Sequence, residues 1–324
     1  RQGTPWKWYD GKYYFSRNDG LKNQAVIYRS STPDGKDAEV FLDPNTLSDD
    51  GTVALTGLTM SHDGKYVAYT ISRSGSDWTE IFVVDAATAK PLPDHIEWAK
   101  FTDAAWYKDG FFYSAYDRPV EGKEFSNANE NHRIYYHKMG TPQSADTIAF
   151  EDPKHPLHFH TAAVPENERC LLVFVGGQGF GEGVMVKDLT RPDAKWVTVE
   201  PSQNYEMGFV DMIGDDLYFT TSADAPRKRL VKIPMANPSR DNWQTVIPEA
   251  EGVLVGVNRS GNDLIVTYEK DASMRPAVYS LAGEKKTDIQ LPTYGDVGFS
   301  TSDKTDEVFY TFTSFLYPAA VYSY

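Results

Sequence analysis

A turn followed by a strand-like run recurs seven times along the 324-residue chain, and this repeat constrains the fold more than any other feature of the sequence. The seven copies are YDGKYYFSRND, SHDGKYVAYTIS, YKDGFFYSAYD, PENERCLLVFV, IGDDLYFTTS, SGNDLIVTYE and DKTDEVFYTFT. Their turn positions, from Gly11 to Glu307, lie 45 to 58 residues apart. A period of about 40 to 50 residues is typical of four-stranded propeller blades.

Each copy has the local chemistry of a β-hairpin. Asp, Asn and Gly accept the positive φ of a tight turn, and alternating aromatic and β-branched residues favour the strand that follows. A second apolar run, such as AVIYRS or EIFVVD, follows the copies downstream. Aromatic residues make up 14% of the chain, which also favours strands over helices. The sequence therefore predicts an all-β fold, a single seven-bladed propeller of four-stranded antiparallel blades over residues 1–324.

The charge of the chain narrows the choice of partners. A formal net charge of -14 argues against a nucleic-acid partner, because phosphate binding requires clustered Lys and Arg. No apolar run approaches the ~20 residues of a membrane helix, so no membrane association is predicted. The single cysteine, Cys170, lies in an apolar run and is predicted to be a core residue. These features leave the compartment open between cytoplasm and periplasm.

The sequence contains no motif that identifies a catalytic residue. No serine lies in the G-x-S-x-G pattern of a nucleophile elbow, and no histidine can be assigned to the serines of SGSDW. The glycine-rich run GGQGFGEG (176–183) joins two strand-like runs and does not open a helix, so it predicts a hairpin loop and not a phosphate site. No cofactor is predicted. The polar insert at 117–133 is predicted to be an exposed loop.

Three histidines, His155, His158 and His160, lie close together in HPLHFH. In an extended strand His158 and His160 point to one face, which is compatible with a metal ion. One such pair without a cysteine or nearby acidic support is a weak signal, so no metal site is predicted. A structural or loop role is the expectation.

Several longer stretches carry a family resemblance. DGLKNQAVIY, VFLDPNTLSDDGTVALTG, SHDGKYVAY, SGSDWTEIFVVD and FTSFLYPAAVY together resemble the propeller of the prolyl oligopeptidase family, serine peptidases of the α/β-hydrolase class. The resemblance implies a propeller that gates the access of short proline-containing peptides to a C-terminal peptidase domain carrying a Ser, Asp and His triad. That domain is absent from this chain, which has no initial Met. The chain alone is therefore expected to be an inactive fragment of a prolyl endopeptidase.

The resemblance also implies roles for individual residues. Phe101 and Phe159 match positions that line the outer substrate pocket, and Asp77 matches an acidic position facing the peptidase domain. Gly176 and Gly179 depart from the family, which has an Arg and a Cys in the cavity at the matching positions. The first and last blades are expected to meet through packing and not through a shared sheet.

Two other functions fit a propeller of this kind. A free-standing scaffold that binds a protein or peptide would be favoured if the gene ended near Tyr324. A propeller lactonase or glycosidase would require carboxylates or a bound cation that converge in the central tunnel. Fold alone does not separate these functions, because function lies in the site that the fold carries.

Overall fold

A computed structural model describes residues 1–124, 129–293, 295–302, 305–313 and 320–323. These residues form β-strands and three short 3-10 helices at Pro44–Thr46, Gln143–Ala145 and Arg240–Asn242, and they include no α-helix. No helix within the described ranges is long and apolar enough to cross a membrane.

The strands lie in antiparallel sheets that follow chain order. The first sheet contains β1 (Trp6–Lys7), β2 (Tyr13–Arg17), β3 (Val26–Ser30) and β4 (Glu39–Leu42). The second contains β5 (Val53–Met60), β6 (Tyr66–Arg73), β7 (Thr79–Asp85), β8 (Pro91–Ala99), β9 (Ala105–Tyr107), β10 (Gly110–Ala115), β11 (Arg133–Lys138) and β12 (Thr147–Phe150). The third contains β13 (Phe159–Ala163), β14 (Cys170–Gly176), β15 (Gly183–Asp188) and β16 (Val197–Glu200).

The remaining strands continue the same pattern. The fourth sheet contains β17 (Met207–Ile213), β18 (Asp216–Thr221), β19 (Arg229–Pro234) and β20 (Gln244–Ile247). The fifth contains β21 (Val253–Ser260), β22 (Asp263–Lys270), β23 (Ser273–Ser280) and β24 (Lys285–Asp288). The last contains β25 (Asp296–Ser302), β26 (Thr305–Thr313) and β27 (Ala320–Ser323).

The second sheet has eight strands because two four-stranded sets touch at one point. Ala99 at the end of β8 pairs with Ala115 at the end of β10, while β10 also pairs with the three-residue strand β9. This single residue pair joins β5–β8 to β9–β12.

The tight turns that join the first two strands of a four-stranded set have the positive φ angles that the sequence predicts. Gly11 and Gly64 have φ of +78° and +74°, a region that glycine enters without steric cost. Glu168 replaces glycine in the fourth copy and still has a φ of +56°. The turn geometry is therefore retained where the glycine is not.

Apolar side chains fill the space between successive sheets. Tyr14 and Phe41 of the first sheet pack with Val67 and Val84 of the second in one buried cluster. The third and fourth sheets are joined in the same way by a cluster that includes Leu172, Val186, Leu217, Phe219 and Val231. Removing one such buried Leu costs about 2 to 5 kcal/mol, because the transfer free energy is lost and a cavity remains. Cys170 is fully buried in the second of these clusters, as the sequence predicts.

The first and last sheets meet through side chains. β1 contacts β25, and the rings of Tyr13 and Phe309 form an edge-to-face pair with centroids 6.0 Å apart. The Tyr13 hydroxyl donates to Glu307 at 2.8 Å, and Lys7 Nζ is 3.5 Å from Glu307 Oε2. Within the described strands no backbone pairing joins the two sheets. The sheets thus close on themselves as an all-β propeller fold with four-stranded antiparallel sheets.

Candidate functional site

Several loops converge at one end of the second and third sheets. Thr79 pairs with Ala99, Ala99 with Ala115, and Phe159 with Gly176. Because these residues end or begin their strands, the β6–β7 hairpin, the β8–β9 connection, the β10–β11 loop and the β14–β15 hairpin lie at one end, which we call the loop end. β13 contacts β10 and β11, so the two sheets are neighbours there.

Phe101 and Phe159, the two residues predicted to line a pocket, lie side by side at the loop end. Their ring centroids are 5.4 Å apart with a tilt of 44°, a favourable aromatic arrangement. Phe101 remains 49% exposed, which is unusual for so large an apolar side chain. Its φ of +53° is uncommon for an aromatic residue and indicates that the connection holds the ring in place.

The glycine-rich run 176–183 forms the β14–β15 hairpin, as predicted, and its backbone lies beneath Phe159. A Cβ atom on Gly176 would lie 2.5 Å from Cε2 of Phe159. Gly177 has a φ of +108° and lies against the same ring. The absence of a side chain at Gly176 therefore gives the Phe159 ring its space.

Lys100 is a member of this site that the sequence did not reveal. Only 8% of the residue is exposed, and Nζ lies 4.9 Å from the centroid of the Trp78 ring and 5.6 Å from that of Phe101. Within the described residues Nζ forms no salt bridge or hydrogen bond with a side chain. The ammonium is held by two aromatic faces, each worth about 0.5 to 2 kcal/mol depending on desolvation. The only signal in the sequence is the neighbouring pair Lys100 and Phe101, which does not identify Trp78 as the third partner.

The hairpin tip that contains Asp77 is anchored by Trp78. The indole N–H of Trp78 donates to the backbone oxygen of Glu124 at 2.9 Å, and its ring packs edge-to-face against Trp98 at 5.4 Å. Trp78 and Trp98 both line a cavity of about 480 Å³. Asp77 itself is exposed, and no ion pair or hydrogen bond of its side chain exists within the described part of the chain. The tip is thus held firmly while its carboxylate faces outward.

The three neighbouring histidines separate into two environments. His160 is buried on β13. Its ring Nδ1 lies 2.8 Å from the backbone oxygen of His132, and its backbone N–H donates to Nδ1 of His132. Burial lowers the pKa of His132 to about 4 and also lowers that of His160, so both rings are neutral at pH 7. His155 and His158 precede the strand, and their rings stack with centroids 4.6 Å apart.

The described histidines are not paired with a nucleophile. The chain has seven histidines, and their recorded hydrogen bonds go to carboxylates, side-chain amides and the backbone, with none to a hydroxyl or thiol within the described ranges. The loop end presents the aromatic rings of Phe101 and Phe159, the buried ammonium of Lys100 and exposed carboxylates that include Asp77. Aromatic rings beside a cation are suited to contacts with a peptide or a protein surface.

Comparisons with known proteins agree with this geometry. The family model described as the N-terminal β-propeller domain of prolyl oligopeptidase matches residues 1–324. The prolyl endopeptidase of Elizabethkingia meningoseptica is 38% identical over 317 residues, which cover 97% of this chain and 44% of that protein. Prolyl oligopeptidase A of Galerina marginata is 29% identical and is matched over 47% of its length.

Solved structures give the same result. A prolyl endopeptidase studied for the role of inter-domain dynamics in catalysis and specificity superposes with a TM-score of 0.89 at 31% identity, over this whole chain and 46% of the other. Prolyl oligopeptidase B of Galerina marginata, bound to a 35-residue hydrolysis and macrocyclization substrate, superposes with a TM-score of 0.89 at 26% identity and is covered to 48%. The chain spans less than half the length of these relatives. It belongs to the prolyl oligopeptidase family, within which it corresponds to the N-terminal β-propeller domain.

Proposed function

We propose that this chain forms the substrate-gating lid of a prolyl oligopeptidase-type serine endopeptidase. The lid lies over the active site of a C-terminal peptidase domain and admits short proline-containing peptides. The observation that carries the proposal is the exposed ring of Phe101 packed on the half-buried ring of Phe159 at the loop end, in a chain that matches less than half of each full-length relative. An exposed aromatic surface of this kind is typical of a site covered by a partner or ligand.

We propose specific roles for the residues of the loop end. Phe101 and Phe159 contact apolar side chains of the peptide, while Asp77 on its anchored hairpin faces the peptidase domain. Phe180, fully exposed at the tip of the glycine-rich hairpin, lies on the same side and supports a face that is covered in the whole protein. Lys100 adds a positive charge behind the aromatic pair, where it attracts carbonyl or carboxylate oxygens of the peptide.

We further propose that residues 1–324 form one domain with seven blades. If the single pair Ala99 and Ala115 is set aside, the eight-stranded sheet separates into two four-stranded sets, and β25–β27 completes the series. This matches the seven turn-plus-strand copies in the sequence. An experimental structure with six or eight radial sheets would contradict the number. The aqueous compartment in which such a lid works, cytoplasm or periplasm, is also part of the proposal.

The pocket is tested by kinetics of the full-length protein that contains this chain. We expect Phe101→Ala and Phe159→Ala each to lower kcat/KM for a proline-containing peptide about 2- to 10-fold, since one aromatic contact is worth about 0.5 to 1.5 kcal/mol. Ile148→Ala is the matched control, because Ile148 is 51% exposed on the outer strand β12. Equal effects in all three variants, or no effect in either Phe variant, would remove these residues from the pocket.

The gate is tested with substrates of different size. The full-length protein is expected to cleave a peptide of about ten residues with an internal proline, and to cleave the same sequence far more slowly within an unfolded protein of several hundred residues. Equal rates would refute the gate. Cleavage of the short peptide by residues 1–324 alone, in a highly purified sample, would refute the assignment of catalysis to the other domain.

A further inference from the structure

The connection between β12 and β13 brings one carboxylate and two imidazoles together. Asp152, His155 and His158 each offer one ligand atom, and these atoms all lie within 4.8 Å of one another. We propose that these three residues bind a divalent first-row transition-metal ion such as Zn²⁺, Ni²⁺ or Cu²⁺. Imidazole and carboxylate ligands suit these ions, and three protein ligands leave one or more positions for solvent.

The local backbone explains why residues three apart converge. The N–H of His155 donates to the carbonyl of Asp152 at 3.2 Å, and the N–H of His158 donates to the carbonyl of His155 at 3.1 Å. Two successive turns of this kind place side chains at every third position above one another. The rings of His155 and His158 stack accordingly, with an angle of 4° between their planes.

The hydrogen bonds of His158 leave one ring nitrogen free for a metal. Its Nε2 lies 2.9 Å from the side-chain oxygen of Gln178, an acceptor, so Nε2 carries the proton. The amide nitrogen of Gln203 is 3.5 Å from the same atom, at the limit of a hydrogen bond, and does not set the tautomer. Nδ1 then has a lone pair, and it is buried with no hydrogen-bond partner in the described part of the chain.

A buried ring nitrogen without a partner costs free energy that a bound cation would recover. The arrangement of His158 is also the one found in metal sites, where a ligating histidine donates its other N–H to an oxygen that fixes the ring. Gln178 has this supporting role here, and its backbone N–H donates to the side-chain oxygen of Gln203 at 2.8 Å.

Asp152 supplies the acidic ligand that the spacing of the histidines did not suggest. Its Oδ2 lies 2.8 Å from Nδ1 of His155. The side chain of His155 is 55% exposed, which gives an ion access from solvent.

Metal binding here would fix the approach to the aromatic pair. His158 directly precedes Phe159, and Gln178 belongs to the hairpin beneath the Phe159 ring. An ion on Asp152, His155 and His158 would tie the connection to that hairpin through His158. This inference concerns the site alone and does not depend on the proposed function.

The test is a calorimetric titration at pH 7.5. The untagged full-length protein is first freed of metal with a chelator, and ZnCl₂ alone is then added. We expect one ion per chain with a Kd in the micromolar range or below. His158→Ala and His155→Ala should each weaken binding at least 10-fold, and Gln178→Ala should weaken it about 10-fold because it orients the ligand. Binding should also weaken at pH 5.5, where protons compete for the imidazoles.

His95→Ala is the matched control, because Glu80, His95 and Glu97 form a second group among the described residues that could hold an ion. There Arg73 and Arg118 already pair with Glu80 and Glu97. Loss of binding in His95→Ala with retention in His158→Ala would overturn the assignment, as would binding only at millimolar Zn²⁺ or no binding. Circular dichroism of each variant separates loss of the site from loss of the fold, and a Zn²⁺-dependent rise in Tm should be absent from His158→Ala.

Discussion

His137 on β11 lies between two buried carboxylates, and its replacement by Gln tests how the charges inside the second sheet are balanced. The ring is fully buried, with Nε2 2.6 Å from Asp94 Oδ2 and Nδ1 2.8 Å from Asp146 Oδ1. The side chains of Asp94 and Asp146 are 3% and 2% exposed. Tyr113 donates to Asp146 at 2.6 Å and the backbone N–H of Gly140 donates to Asp94 at 2.9 Å.

The expected cost follows from burial. Removing one partner of a buried charge pair leaves the other uncompensated and costs about 3 to 5 kcal/mol, and His137→Gln removes the cation from two carboxylates at once. His95→Gln is the matched control, because His95 pairs with Glu80 at 2.9 Å with 34% of its side chain exposed. A pair this accessible is worth at most about 1 kcal/mol.

The pH dependence of the His137 contribution has a definite sign. Burial would lower the pKa of His137, but its hydrogen bonds to Asp146 and Asp94 raise the pKa above the usual value. A raised folded-state pKa means that the stabilisation is fully present below the unfolded pKa of about 6.5 and is lost as pH rises through the folded pKa. The free-energy difference between wild type and His137→Gln should therefore be largest near pH 6 and shrink at higher pH.

The measurement is urea unfolding of wild type and both variants, followed by tryptophan fluorescence, at a series of pH values from 6 to 9.5. Equal destabilisation by the two substitutions would show that burial does not set the cost. A difference that grows with pH would show that His137 is not held as the cation.

Two further substitution or labelling results are expected. In the same unfolding assay, Gly181→Ala should destabilise the chain by about 1 to 3 kcal/mol, because its Cβ would lie 1.9 Å from the backbone oxygen of Tyr205. Gly256→Ala is the control and should be within about 1 kcal/mol of wild type, because there is open space around its Cβ. Cys170 should not react with a maleimide at pH 8 in the folded chain and should react fully in guanidinium, because burial raises the pKa of its thiol to about 12; labelling of the folded chain would contradict the buried position.

The sequence predicts the sheets well because their signals are local. The turns at Gly11 and Gly64, the hairpin 176–183 and the alternation within strands each depend on residues that are neighbours in the chain. The eight-stranded sheet was not predictable, since the pair Ala99 and Ala115 involves two residues with no distinguishing chemistry. Residues 125–128 of the predicted exposed loop at 117–133 lie outside the described residues.

The candidate site was only partly accessible from the sequence. Phe101 and Phe159 were selected through the family resemblance, and the structure places them together. Lys100 was missed, because its environment is made by Trp78 from a different hairpin. The acidic partner of His155 was also missed, although Asp152 is only three residues away, because two consecutive turns and not a strand precede Phe159. Long-range contacts of polar groups leave no periodic trace in a single sequence.

The joint between the first and last sheets determines which experiments can detect its opening. Tyr13, Glu307, Phe309 and Lys7 make the contact with side chains, and within the described strands no backbone pairing crosses from one sheet to the other. Separating the two sheets would therefore break no strand pairing, so hydrogen exchange of the paired amides would change little while the ring opened and closed. A spectroscopic label on the Tyr13 or Phe309 side would report the event directly. In this fold, a rigid backbone signal is compatible with a mobile joint.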